Sequence, residues 1–90
     1  GTLQITKNVE GPAPQGTAFE INISGANGSI RRSIQAGQTI SVELAPGTYE
    51  VTETNSGGAA QVRKSPQGGI AVYSGQNSGI VITNVYSVYP

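Results

Sequence analysis

Short runs of alternating apolar and polar residues, each closed by Gly, Pro, Asn or Ser, fill this chain from end to end. Successive side chains of an extended strand point to opposite faces, so such runs mark strands with one face buried and the other in water. Leu3, Ile5, Lys7 and Val9 share a face of the first run, which closes at Gly11-Pro12-Ala13-Pro14. Phe19, Ile21 and Ile23 point inward and Glu20, Asn22 and Ser24 outward, as far as Gly25-Ala26-Asn27-Gly28. A short run around Ile30 to Ile34 follows, and Ala36-Gly37-Gln38 turns into Ile40, Val42 and Leu44. Pro46-Gly47 is a tight turn, after which Tyr49, Val51 and Glu53 lie opposite Thr48, Glu50, Thr52 and Thr54. Weaker strands are expected over Gln61 to Ser65 and Gly69 to Tyr73, around Pro66-Gln67-Gly68-Gly69. The last run, from Gly79 to Tyr86, sets Ile80, Ile82, Asn84 and Tyr86 against Val81, Thr83 and Val85. No helical period and no internal repeat emerges. The pattern predicts an all-β antiparallel sandwich or barrel, and the 90 residues form a single domain, because two would each be too small to bury a core.

Composition removes most chemistry. The chain has no Cys, His, Asp or Met, so thiolate and imidazole catalysis and the usual zinc and transition-metal sites lack their ligands. No cofactor and no metal is expected, and any covalent brace must be something other than a disulfide. Five basic residues balance five acidic ones, and beyond Arg31-Arg32 and Arg63-Lys64 the basic ones form no cluster. Nucleic acid and membrane surfaces are therefore not expected as partners. No apolar run is long enough for a membrane span and the start carries no signal-peptide pattern, so the chain reads as a piece of something longer.

Three polar residues break the pattern. Lys7, Glu53 and Asn84 each occupy the apolar register of their own run. Burying an unpartnered ammonium, carboxylate or amide costs roughly several kcal/mol, so three such residues in one small core are expected to be one another's partners. They are also a reactive set. Desolvation lowers the pKa of a lysine and raises that of a glutamate, which favours the neutral forms of both. A neutral Lys7 could attack the side-chain carbonyl carbon of Asn84, while Glu53 hydrogen-bonds the carbonyl oxygen and relays protons to the departing ammonia. Confinement supplies the effective concentration that an unreactive amide needs.

Leu3-Gln4-Ile5-Thr6-Lys7, Leu44-Ala45-Pro46-Gly47-Thr48-Tyr49-Glu50-Val51-Thr52-Glu53-Thr54 and Ile82-Thr83-Asn84-Val85-Tyr86 resemble, in that order, the three signature stretches of collagen-adhesin B-type (Cna-B-like) domains. The resemblance spans essentially the whole chain, and its central stretch is the most specific. It implies an inverse immunoglobulin-like sandwich of about seven strands in which Lys7 and Asn84 are joined by an isopeptide bond with Glu53 as catalyst. Tyr49, Tyr86, Ile5, Val51 and Ile82 form the supporting core, with the two tyrosines flanking the site. It further implies a stalk or spacer module of an adhesin or pilin, extracellular and anchored to the cell wall of a Gram-positive bacterium. Neighbouring domains of the same surface protein are its partners, and the isolated domain is a monomer. One departure is that no acidic residue closely follows Lys7, the nearest being Glu10.

Each of the three residues has an ordinary reading by itself: an edge lysine, a solvated glutamate, a turn-forming asparagine. Shared register and motif order favour the joint reading over an unbonded immunoglobulin-like spacer. Asn22-Ile23-Ser24 and Asn27-Gly28-Ser29 match the glycosylation sequon by chance, and Gly57-Gly58 and Gly68-Gly69 are turns rather than phosphate loops. A host extracellular protein bound by the loops is the alternative partner. With no Trp, one Phe and four Tyr, the chain has little from which to build a sugar platform or a hot spot. An enzyme is not expected, since the chemistry acts once, on the chain itself.

Overall fold

The structure, a computed structural model, describes residues 1–11, 18–26, 28–55, 59, 61–65 and 67–86. Its strands are β1 (Thr2–Glu10), β2 (Ala18–Gly25), β3 (Gly28–Gln35), β4 (Thr39–Glu43), β5 (Gly47–Asn55), β6 (Gln61–Ser65), β7 (Ile70–Val72) and β8 (Asn77–Val85). They form two sheets of four, in the orders β4-β1-β8-β6 and β3-β2-β5-β7. This is the expected all-β sandwich of immunoglobulin-like type. The count is eight, against the about seven that the resemblance implies: both of the weaker runs expected after β5 form strands, β6 in one sheet and the short β7 in the other. Pro12, Ala13, Pro14, Asn27, Gly57, Gly58 and Pro66, which figure in the expected turns and sequons, lie outside the described residues.

Alternation sets the two faces as expected. Leu3 and Ile5 of β1, Phe19, Ile21 and Ile23 of β2, Val51 of β5, and Ile80 and Ile82 of β8 are buried between the sheets. Gln4, Glu20 and Glu50 face outward. One pairing departs from an antiparallel plan: β1 and β8 run parallel over nine residue pairs, from Thr2↔Asn77 to Glu10↔Val85. A parallel pair needs a long crossover, and here almost the whole domain is that crossover. The start of β1 and the end of β8 consequently lie at opposite ends of a body measuring 48 × 19 × 19 Å.

Two glycines allow close approaches that a side chain would prevent. A Cβ on Gly25 would come within 2.6 Å of the Tyr49 ring, which packs over this backbone while its hydroxyl donates to the Ala45 carbonyl at 2.6 Å. The Pro-Gly-Thr-Tyr stretch thus resembles a tyrosine corner, with the ring tying down the turn that begins β5. Gly11, at φ +84°, passes so near the Tyr86 carbonyl that a Cβ would collide with it, and Tyr86 N–H donates to Glu10 O at 2.9 Å. That contact fastens the end of β1 to the end of β8, just beyond Lys7 and Asn84.

Candidate functional site

Lys7 lies on β1 and Asn84 on the adjacent β8, in a register that pairs Lys7 with Ile82 and Val9 with Asn84. The two are diagonal neighbours on the same inward face, and both are 0% exposed. Glu53 comes from the other sheet, where β5 pairs it with Ile21 of β2; its side chain is 2% exposed. The β2–β5 register shifts between Glu20 and Ile21, and irregularities of this kind re-aim the side chains beside them.

One carboxylate meets both nitrogens. Lys7 Nζ is 3.0 Å from Glu53 Oε2, and Asn84 Nδ2 donates to Glu53 Oε1 at 2.6 Å. A carboxylate is an acceptor on both oxygens, so it can hold an amine at one and an amide NH2 at the other. The expected contact was with the carbonyl oxygen of Asn84. Glu53 instead accepts from the amide nitrogen, as a carboxyl oxygen facing an NH2 group does.

The amine is close to its partner yet poorly solvated. Neither Lys7 Nζ nor Glu53 Oε2 has an aligned hydrogen bond among the described residues, and the other neighbour of Nζ is the Phe19 ring, 4.6 Å from its centroid. Burial pushes the Lys7 pKa below that of a free lysine, and the Glu53 carboxylate offsets part of this by contact and charge. Phe19 is a site residue that sequence reasoning read only as core. Its inward parity was legible, but its position under the lysine depends on how the two sheets face each other.

The remaining expected residues divide. Ile5, Val51 and Ile82 are each 0% exposed and lie two residues from Lys7, Glu53 and Asn84 respectively, so they wall the site along its strands. Tyr86 is buried two residues beyond Asn84. Tyr49 does not flank the site: it is half-buried and four residues back along β5 from Glu53, a distance of about 13 Å at the usual rise. Shared parity put it on the right face but could not say how far along. Glu10 is also elsewhere, on the outer face in an exposed pair with Arg63 at 3.0 Å. Among the described residues no group of acidic side chains could hold a metal ion, and no helix is long and apolar enough to cross a membrane.

No family model matches the chain, and no curated protein matches it. Among solved structures it is similar to a bacterial adhesin from Mobiluncus mulieris containing intramolecular disulfide, isopeptide and ester bond cross-links, with a TM-score of 0.75 and 17% identity. The match covers 98% of this chain and 42% of the adhesin chain. At that identity the likeness is one of fold.

Proposed function

We propose that this domain is a structural module of a bacterial cell-surface adhesin or pilin, braced by an isopeptide bond that Lys7 and Asn84 form with the help of Glu53. The observation that carries the reading is a single buried carboxylate within 3.0 Å of an amine and 2.6 Å of a carboxamide nitrogen. A structural core has no use for three polar groups so placed, since apolar residues of similar volume would serve stability as well or better.

The chemistry follows from which atoms Glu53 touches. Neutral Lys7 Nζ attacks Cγ of Asn84, the Nζ–Cγ bond forms, and the Cγ–Nδ2 bond breaks. Glu53, within reach of both nitrogens, takes the proton that Nζ loses and passes that same proton to Nδ2, so nitrogen leaves as ammonia and the carboxylate is regenerated. The products are one secondary amide and one ammonia, with no cofactor consumed. Burial favours the neutral amine, and fixed geometry replaces the collision that an intermolecular aminolysis would need.

The purpose is mechanical. Because β1 and β8 are parallel, a pull on the two ends of the domain runs along β1 to Lys7, across to Asn84 and out along the end of β8. With the bond formed that path is covalent, and the strands between the two residues carry no load. Such a module acts as a stalk or spacer between neighbouring domains of an extracellular, cell-wall-anchored protein. The fold shared with a cross-linked bacterial adhesin supports this reading.

The test is the intact mass of the purified chain, which should be one ammonia lighter than its sequence, with the deficit mapping to a peptide joining Lys7 and Asn84. Glu53→Gln keeps the shape of the side chain but not its proton chemistry, and should fold with the full mass. A full mass for the unaltered chain refutes the proposal.

A further inference from the structure

The chain has a second lysine, Lys64, whose role differs from that of Lys7. It lies on β6 opposite Ile82 of β8, with Val62 opposite Asn84. Paired residues point to the same side of a sheet, so Lys64 follows Ile82 toward the facing layer, and it is half-buried. Its Nζ donates to the Val51 carbonyl at 2.9 Å. That bond crosses from the sheet containing Asn84 to the sheet containing Glu53, and it ends two residues from Glu53.

The place where it lands lies beyond the stretch of β5 that β7 pairs with. β7 is the outer neighbour of β5, yet it pairs only with Gly47, Thr48 and Tyr49. From Glu50 onward, no strand among the described residues covers that edge of β5. A backbone carbonyl left there needs a donor, and Lys64 supplies one from the strand beside the electrophile.

We infer that Lys64 is a positioning residue for the cross-linking reaction: its ammonium, bonded to the Val51 carbonyl, fixes the Glu53 strand against the Asn84 strand and so sets the reach of the carboxylate to the amide. This rests on the cross-link proposed above. Glu53 contacts Asn84 across the gap between sheets; the Ser78 hydroxyl donates across that gap to the Ala71 carbonyl at 2.7 Å near the other end of β8, and between the two the gap is filled by apolar side chains, whose packing has no preferred direction. A directional bond next to the catalyst adds what packing lacks, and a displacement of about 1 Å at a reacting centre can cost on the order of a hundredfold in rate. The charge is a second reason for a lysine. A hydrogen bond from a charged donor is roughly twice as strong as a neutral one, and a flexible four-carbon stem, half-buried here, lets the head reach the carbonyl.

The experiment uses chain prepared unfolded, refolded by dilution, sampled over time and weighed intact, with recovery of the β-sheet circular dichroism recorded in parallel. Lys64→Met keeps the apolar stem and removes the donor; Lys64→Arg keeps a charged donor. Loss of ammonia in Lys64→Met should lag the recovery of structure and run at least roughly tenfold slower than in the unaltered chain. Lys64→Arg should restore most of the rate, which a purely space-filling role for the side chain would not produce. Equal rates for the unaltered chain and Lys64→Met overturn the inference. If the unaltered chain itself keeps its full mass, the cross-link reading falls, and positioning is then read from hydrogen exchange of the Asn84 side-chain NH2 bonded to Glu53. Lys64→Met should speed that exchange roughly tenfold, and unchanged exchange overturns the inference in that case too.

Discussion

Replacing Asn84 by Ala removes the electrophile while leaving Lys7 and Glu53 to pair with each other, so it opens the proposed cross-link without stranding a charge in the core. The bond closes a loop of about 77 residues, for which the chain-entropy treatment used for disulfides gives about 4.5 kcal/mol of stabilisation at room temperature. Ninety residues, at about 2.1 cal/mol/K each, give an unfolding entropy of about 0.19 kcal/mol/K. The loop term alone therefore corresponds to about 24 °C of melting temperature. Thermal melts followed by circular dichroism, on samples whose mass confirms bonded and unbonded states, read the difference. Urea titration supplies a second sign: the bonded chain stays compact when denatured, exposes less surface, and should show the smaller dependence on denaturant. A drop of less than about 10 °C between a bonded wild type and unbonded Asn84→Ala would refute the loop argument.

Two further predictions concern the amine and the load path. The burial-lowered pKa of Lys7 means that the neutral, nucleophilic form dominates before the 10.5 of a free lysine, so the rate of bond formation during refolding should rise with pH and level off below 10.5; a rate still climbing at that pH contradicts the assignment. In unbonded Asn84→Ala the unfolded chain binds more protons than the folded one between the lowered pKa and 10.5, so stability should rise with pH across that window relative to the Lys7→Met/Asn84→Ala double variant, and a constant difference would show that Lys7 is not desolvated. Under single-molecule stretching, the bonded domain should show no step releasing the enclosed loop, whereas Glu53→Gln should release roughly 250 Å of chain at 3.3 Å per residue; a step of that size in the bonded chain removes the stalk reading.

Much of this was legible because a strand has only two faces. Lys7, Glu53 and Asn84 could be assigned to the buried side from their neighbours alone, and the structure buries all three. What parity cannot give is position along the strand or the alignment of one sheet over the other. Tyr49 illustrates the first limit: it has the right face, but it sits at the far end of β5 and serves the turn at Ala45. Phe19 and Lys64 illustrate the second. Phe19 has inward parity and Lys64 shares a face with Val62, but their roles under Lys7 and against Val51 appear only once β1 lies over β2 and β6 approaches β5. The parallel β1–β8 pair was hidden for a related reason: alternation is the same for parallel and antiparallel neighbours when one face is exposed.

The cost of burying the three groups and the reason for burying them have the same physical origin. Before reaction the core holds an amine and a carboxyl group that, among the described residues, meet each other, a carboxamide and an aromatic ring in place of water, and so the unbonded fold is less stable than an apolar core of that size. The proposed reaction with Asn84 would remove the ionisable amine altogether, replace it with a neutral amide, and expel ammonia to water. The desolvation that weakens the reactant therefore favours the product. The apolar surroundings of Ile5, Phe19, Ile82 and Val51 matter for this chemistry as much as for packing. A more polar core would spare the unbonded fold its penalty and leave Lys7 protonated, with no lone pair for the attack.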